Sequence, residues 1–357
     1  MMAAEREVSV IGCDESGSEG ESLVASQHPV FVHASVNLPE DAATDLRDWM
    51  RAATRTQASE MKSKTALLPK NRAVLLEALD QLLGAANVAL VDKGYFLTSK
   101  LVETLIGPHA EQWGTDIGRS GLGRVLAEQL NRCASAAVGT HRWDALLGSY
   151  NSLVRSHRRE SANPPTVQPF FDALKDAFDN CTDEDTREVL SMLWESRLFA
   201  YEYAGRSEVE LRELDPLMPT MSAVARNWSM RIGDAPFTFL ADTYSGLTPT
   251  VREYIVDASR IPLSVGGYVL PRPNLCGISL VDSRSDARVQ LADILAGVGR
   301  EVARIAMAGE FDDELQVAIH EMLDNTVMAS DGSPLDILVH RRPLRYRDEW
   351  VDQQWDA

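Results

Sequence analysis

Cysteine is scarce in this chain of 357 residues, which contains only four. They are Cys13, Cys133, Cys181 and Cys276, which lie far apart and form no CxxC pair. Zinc sites and the disulfide frameworks of small secreted domains need closely spaced cysteines, so the sequence indicates neither. We expect four buried thiols.

Long apolar runs are also missing. No stretch approaches the roughly 20 apolar residues of a membrane helix, and the N-terminal MMAAEREVSV lacks the basic region and hydrophobic core of a secretion signal. We therefore expect no contact with a membrane and a cytoplasmic location. With 45% hydrophobic and 25% charged residues, the composition is that of a globular protein with a sizeable core.

Basic residues are fewer than acidic ones, so the formal net charge is -18. A protein that coats nucleic acid without sequence preference needs a basic surface, which this chain lacks overall. Arginines are nevertheless concentrated in 141–160 and 340–347, with four in each segment. These segments are either a solvated helix face and a surface tail or a polyanion-binding surface. The candidate nucleic-acid contacts are Arg155, Arg158, Arg159, Arg341, Arg342 and Arg345.

Several well-known catalytic motifs are absent. The seven histidines include no HxH or HExxH pattern, and no GxxxxGK[ST] phosphate loop occurs. The glycine-rich GRSGLG at 118–123 lies among helical segments rather than after a strand. Zinc hydrolase, nucleoside triphosphatase and NAD-dependent chemistry are therefore poorly supported.

The hydrophobic pattern predicts an α/β fold. Valine-rich runs of strand length alternate with helical periodicity at 41–54 and 69–84, and strands return after a long helical stretch. A further helix follows at 286–309. We predict a mixed central sheet, flanked by helices and crossed by this last helix, built from 7–13, 29–38, 87–92, 236–242 and 275–282.

The same pattern predicts the domain organisation. From about 97 to 231, apolar residues recur at helical spacing with no convincing strand, which indicates a helical insertion or subdomain at 97–232. The α/β core would then comprise 1–96 and 233–310. A C-terminal helix and a basic tail would occupy 311–357.

Acidic residues follow the predicted strands. Asp14, Asp242 and Asp282 each end one, and the carboxyl ends of strands border the ligand crevice of an open α/β sheet. Asp293 interrupts the apolar run LADILAG of the last helix, on one stripe with Asp286, Gln290 and Gly297. An ionised acid near a core is unfavourable without a partner, and a metal ion would supply one.

The chain resembles the bacterial proteins grouped as domain of unknown function 3800, which are ribonuclease H-like in fold. The resemblance covers roughly 1–96 and 233–305. It rests on DESG at 14–17, SEMKSK at 59–64, VDKG at 91–94, LADT at 240–243 and VDSRSDARVQLADILAG at 281–297. It implies a nuclease that hydrolyses phosphodiesters with Mg²⁺ or Mn²⁺, which are ions that prefer oxygen ligands.

The resemblance also implies a set of site residues. The expected metal ligands and catalytic acids are Asp14, Glu60, Asp242 and Asp293. Residues expected around them, or as alternative acids, are Glu15, Lys62, Asp282 and Gln290. Other interpretations remain open: Asp14 suits a turn, Glu60 suits an ion pair with Lys62 or Lys64, and Asp282 suits a helix cap.

A second function belongs to a different class. The same sequence is compatible with a catalytically silent ribonuclease H-like scaffold that binds nucleic acid or a protein partner. Its helical insertion would then be the interaction surface, or the contact of a homo-oligomer. The sequence does not distinguish DNA from RNA as the ligand.

Overall fold

A computed structural model describes residues 8–24, 28–58, 60–155, 166–205, 212–265, 268–310, 312–324 and 328–340. Its main sheet has five strands, and a short hairpin adds two more. The sheet strands are β1 (Ser9–Ser16), β2 (Val30–Val36), β3 (Ala86–Asp92), β4 (Phe237–Asp242) and β7 (Leu275–Val281), and the hairpin strands are β5 (Ser264–Val265) and β6 (Tyr268–Val269).

The sheet is mixed, with the strand order β3-β2-β1-β4-β7. Strand β2 is antiparallel to both its neighbours, whereas β4 is parallel to β1 and to β7. The pairing of β1 with β4 joins the sequence before the long helical stretch to the sequence after it. The predicted α/β fold with a mixed sheet flanked by helices is therefore confirmed.

Helices occupy most of the remaining described chain. Before the long helical stretch they are α1 (Glu40–Thr54), α2 (Ser63–Ala66) and α3 (Arg72–Gln81). That stretch contains α4 (Lys93–Glu111), α5 (Leu122–Val138), α6 (Thr140–Val154), α7 (Gln168–Asp179), α8 (Glu184–Ser196), α9 (Ala200–Gly205) and α10 (Leu217–Ile232). After it come α11 (Pro249–Ser259), α12 (Ala287–Met307), α13 (Asp313–His320) and α14 (Pro334–His340).

The two faces of the sheet are covered by different helices. Strand β2 shows this clearly, because Val30, Val32 and Ala34 pack with α1, α3 and α12, whereas Phe31 packs with the long helical stretch. Side chains alternate between faces along a strand, so each strand contributes to two cores. Helices α4 to α10 therefore form one covering layer, and α12 crosses the opposite face.

Two sequence-based boundaries are wrong. Strand β1 continues to Ser16, because Asp14 and Glu15 pair with Ala34 and His33 of β2 instead of forming a turn. The helical stretch begins at Lys93 rather than at 97, since the Asp92 carboxylate caps α4 by accepting hydrogen bonds from the Gly94 and Tyr95 amides. The described part of 311–340 contains two helices where the sequence predicts one.

The outer edges of the sheet are both occupied. Beside β3, the Val88 amide donates to the Met322 carbonyl and the Asp92 amide donates to the Met328 carbonyl. Beside β7, Arg252 donates to the Ile278 carbonyl and Arg260 to the Leu275 carbonyl. Such contacts protect edge strands from pairing with other chains.

The expectation of four buried thiols is half correct. Cys13 and Cys181 are buried, but Cys133 is half-buried and Cys276 is exposed. Cys276 lies on β7 at the edge of the sheet, where alternate side chains point away from the core. None of the helices in the described part of the chain is long and apolar enough to cross a lipid bilayer.

Candidate functional site

Asp14 and Asp242 lie side by side toward the carboxyl ends of the neighbouring parallel strands β1 and β4. The parallel register pairs Cys13 with Ala241, so the next residue on each strand is an aspartate. Cys13 and Ala241 both face the long helical stretch. Because successive side chains alternate, Asp14 and Asp242 both point to the other face, toward α12.

Helix α12 approaches this face closely, which brings Asp293 to the same place. A β-carbon at Gly12 would lie 2.5 Å from the Arg288 Cβ and 2.8 Å from the Val289 nitrogen, so only glycine permits this contact with β1. A β-carbon at Gly297 would lie 2.1 Å from the Ser63 Cβ. The two glycines thus allow both β1 and the segment around Glu60 to pack against α12.

The electrostatics indicate that these acids are close neighbours. Burial, together with the charges of Glu15, Asp293 and Asp242, raises the pKa of Asp14 to about 8. Burial and the charges of Glu60 and Asp242 also raise the pKa of Asp293, although Lys62 opposes this shift. Like charges in a partly buried site favour protonation unless a cation neutralises them.

Glu60 reaches the same site from the segment before α2. Its Oε1 accepts hydrogen bonds from the Lys62 Nζ at 2.6 Å and from the Ser283 Oγ at 3.0 Å. The Ser283 amide in turn donates to the Asp242 Oδ1 at 3.1 Å. The Lys62 Nζ also lies 3.5 Å from the Asp293 Oδ2. Glu60, Lys62, Ser283 and the two aspartates therefore form one continuous set of contacts.

Asp282 lies outside this set. It is exposed, forms an ion pair with Arg284, and caps the short 3-10 turn of residues 283–285 by accepting a hydrogen bond from the Arg284 amide at 3.0 Å. The Arg284 interaction lowers the pKa of Asp282 to about 2. Capping is thus its observed role, while α12 is capped by Asp286, which also pairs with Arg288 at 2.6 Å.

Glu15 points to the opposite face of the sheet from Asp14. Burial, followed by the charges of Asp215, Asp242 and Asp293, raises the pKa of Glu15 to about 7. Asp215 is buried just before α10, where its Oδ2 accepts a hydrogen bond from the Tyr244 hydroxyl at 2.9 Å. The long helical stretch therefore contributes an acid beside the site.

Sequence reasoning missed Asp215 and Tyr244. The only signals were an aspartate directly before Pro216, a common way to begin a helix, and a tyrosine two residues after Asp242. Neither signal indicates proximity to Glu15, because that proximity depends on how α10 packs against the sheet.

The remaining predicted site residues are Gln290 and the six arginines, and the structure describes only some of them. Gln290 is buried on α12, and its Oε1 has no hydrogen-bond partner within the described chain. Arg155 lies at the end of α6, with a buried Nε. The other predicted nucleic-acid contacts, Arg158, Arg159, Arg341, Arg342 and Arg345, lie outside the described residues.

The chemistry of the site fits a hard divalent cation. Its donors are carboxylate oxygens, which Mg²⁺ and Mn²⁺ prefer, and the Asp293 Oδ2 is buried without accepting a hydrogen bond. Within the described ranges, however, no three His, Cys, Asp or Glu residues are grouped so that they could hold one ion as they stand. Metal binding therefore requires side-chain movement at this site.

We compared the chain with known protein families, curated proteins and solved structures. No protein-family model matches the chain, and neither the curated proteins nor the solved structures include a match.

Proposed function

We propose that the chain is a divalent-metal-dependent nuclease with a ribonuclease H-like fold, related to the domain of unknown function 3800 proteins that its motifs resemble. The observation that carries the proposal is that Asp14 and Asp242 lie on the face of the sheet that α12 covers, where α12 brings Asp293. Burial, followed by the charges of Glu15, Asp293 and Asp242, raises the pKa of Asp14 to about 8. A divalent cation would relieve this repulsion.

The architecture supports the same proposal. The motifs DESG, LADT and QLAD are far apart in sequence, yet they lie on β1, β4 and α12, which contact one another. The carboxyl ends of neighbouring parallel strands are the usual place for a ligand crevice in an open α/β sheet.

In this proposal each acid has a stated role. Asp14, Asp242, Asp293 and Glu60 hold Mg²⁺ or Mn²⁺. When bound there, such an ion would lower the pKa of a water and stabilise charge on the phosphodiester oxygens. Ser283 positions two of the ligands, because it donates to both Glu60 and Asp242. Glu15, on the opposite face of the sheet, adds negative charge that acts on Asp14, and Gln290 lies one helical turn before Asp293 on α12.

Substrate affinity must come from local positive charge, since the chain is acidic overall. The proposed contacts are the six arginines named from the sequence. Binding that depends on arginine–phosphate contacts releases counterions, so it should weaken steeply as salt is raised.

The experiment compares the wild-type protein with Asp14→Asn, which keeps the shape of the side chain and removes its charge. Single-stranded and duplex DNA and RNA are incubated with Mg²⁺, Mn²⁺ or EDTA. Asp257→Asn, on the exposed part of α11, is the matched control. Metal-dependent cleavage by the wild type and the control, and none by Asp14→Asn, is expected. Equal cleavage by all three proteins contradicts the proposal.

One observation favours the second candidate, the catalytically silent scaffold. Lys62 already pairs with Glu60 and Asp293, so two of the acids have a cationic partner without metal. The scaffold would bind nucleic acid or a protein partner, or a second copy of the chain, through helices α4 to α10. No cleavage of any substrate, together with nucleic-acid binding that is unchanged by EDTA, would favour this candidate.

A further inference from the structure

The Lys62 ammonium lies where a cation is needed. Its Nζ is 2.6 Å from the Glu60 Oε1 and 3.5 Å from the Asp293 Oδ2, so one positive charge bridges acids from two separate parts of the chain. The side chains of Glu60 and Asp293 are only 16% and 17% exposed, whereas that of Lys62 is 48% exposed. The acids are thus shielded by the protein and the lysine comes from the solvent side.

No other basic side chain in the described ranges forms an ion pair with Asp14, Glu60, Asp242 or Asp293. Arg284 is nearby, but it is paired with Asp282 at the exposed rim. Among the basic side chains of the described ranges, Lys62 is therefore the direct ion-pair partner of this acidic site.

The Lys62 side chain can also move away from the two acids. It lies at the start of the short helix α2, and its flexible four-carbon stem can carry the ammonium into water. An ion pair with this much exposure contributes little net free energy. A divalent cation carries twice the charge and can take several carboxylate oxygens at once, so it should win the competition.

We infer that Lys62 is a built-in counterion that occupies the place of a divalent cation between Glu60 and Asp293, and that it must release Asp293 before Mg²⁺ or Mn²⁺ binds. This inference rests on the proposed function, because it concerns the same metal site. It explains why the acids of the described chain do not form a ready-made metal group: two of them, Glu60 and Asp293, are paired with a lysine.

The test measures metal binding rather than cleavage. Mn²⁺ is titrated calorimetrically into the wild type, Lys62→Met and Lys62→Arg. Lys64→Met is the matched control, because Lys64 lies on the same helix and makes no ion pair within the described residues. Melting temperatures are recorded in EDTA and in Mn²⁺, and circular dichroism checks folding.

Lys62→Met should bind Mn²⁺ about threefold more tightly than the wild type, because a competing ion pair has been removed. It should also melt at a lower temperature in EDTA, since the acids lose their counterion, and gain more stability from Mn²⁺. Lys64→Met should bind Mn²⁺ like the wild type, and Lys62→Arg should bind it more weakly. If Lys62→Met fails to fold, weaker Mn²⁺ binding by Lys62→Arg than by Lys64→Met supports the competition, because the bidentate guanidinium holds the carboxylates more firmly.

The outcomes separate the two proposals. Equal or weaker Mn²⁺ binding by Lys62→Met, compared with Lys64→Met, overturns the counterion role and leaves the nuclease proposal standing. Metal binding with the expected difference, but without cleavage of any substrate, overturns the nuclease proposal alone. Absence of Mn²⁺ binding in every variant overturns both.

Discussion

Trp228 donates a hydrogen bond from its indole Nε1 to the Ser35 Oγ over 2.8 Å, and both side chains are buried. The contact joins α10, the last helix of the long helical stretch, to strand β2 one residue before the strand ends. A covering layer that is hydrogen-bonded into the sheet, as well as packed on it, belongs to the same core as the strands.

Ser35→Ala should lower the free energy of unfolding by about 1–3 kcal/mol, because it leaves the Trp228 Nε1 buried without an acceptor. Ser279→Ala is the control, since Ser279 is an exposed serine on β7 and its loss should change stability by less than about 0.5 kcal/mol. Urea denaturation followed by tryptophan fluorescence measures both. Equal stability of the two variants would show that the bond contributes nothing.

Gly12→Ala should destabilise the protein by about 2 kcal/mol or more, because the new methyl group meets the Arg288 Cβ and the backbone of Val289. Pushing α12 away from β1 also separates Asp293 from Asp14, so Mn²⁺ affinity should fall. Gly277→Ala is the matched control: Gly277 is also a strand glycine, but a β-carbon added there would meet no other atom within 4 Å. That substitution should be neutral or stabilise by about 0.5 kcal/mol. Similar unfolding curves for both variants would contradict the close approach of α12.

Stability should fall as the pH rises from about 4 to 8 in metal-free protein. The pKa of Asp14 is raised from 3.8 to about 8 in the folded state, so between these values the folded chain holds a proton that the unfolded chain has released. Asp14→Asn removes this penalty and should stabilise the protein at pH 8 by at least about 1 kcal/mol, with no gain near pH 4. Urea titrations in EDTA at several pH values measure the difference. A destabilised Asp14→Asn at pH 8 would contradict the raised pKa.

For Asp282 we predict the opposite pH dependence of stability. Its pKa is lowered to about 2 by Arg284, so its charge favours the folded state above pH 4 and this contribution disappears as the pH falls toward 2. Asp282→Asn should therefore lose a little stability at neutral pH and nothing in acid. The effect should be small, because the pair is exposed. The same titrations test it, and a gain in stability at pH 8 would show that Asp282 belongs with the repelling acids.

Mn²⁺ should raise the melting temperature of the wild type, with a gain of about 2.7 kcal/mol at a concentration 100 times the dissociation constant. Asp293→Asn and Asp242→Asn should each abolish most of this gain, because each removes a charged ligand. Asp257→Asn should retain it, since Asp257 is an exposed acid on α11. Differential scanning fluorimetry is sufficient to compare the four proteins. A full gain in Asp293→Asn would remove Asp293 from the site.

The sequence predicts the strands well where alternation and burial agree. It predicts β2 at 29–38, and the strand spans Val30–Val36, because alternate apolar residues, Val30, Val32, Ala34 and Val36, fill one face. The predicted β1 is too short. Asp14, Glu15 and Ser16 are typical turn residues, but pairing with β2 keeps them extended, since tertiary contacts override a weak local preference.

The position of the candidate site can likewise be predicted from the sequence. The contacts between side chains within the site cannot. An acid at the end of β4 and one on α12 are visible as charges that interrupt apolar runs. The proximity of Asp215 to Glu15 depends on the packing of α10, and the choice of Lys62 over Lys64 as the partner of Glu60 depends on where α2 meets α12. No local pattern encodes either relationship.

The pairing of β1 with β4 determines when the acidic site arises during synthesis. Strand β2 follows β1 directly in the chain, but the strand on the other side of β1 is made only after α4 to α10. Asp14 therefore remains without Asp242 and Asp293 until β4 and α12 have been made. A chain released after residue 232 should bind no Mn²⁺, so an enzyme of the proposed kind would have no active site before α12 had been synthesised.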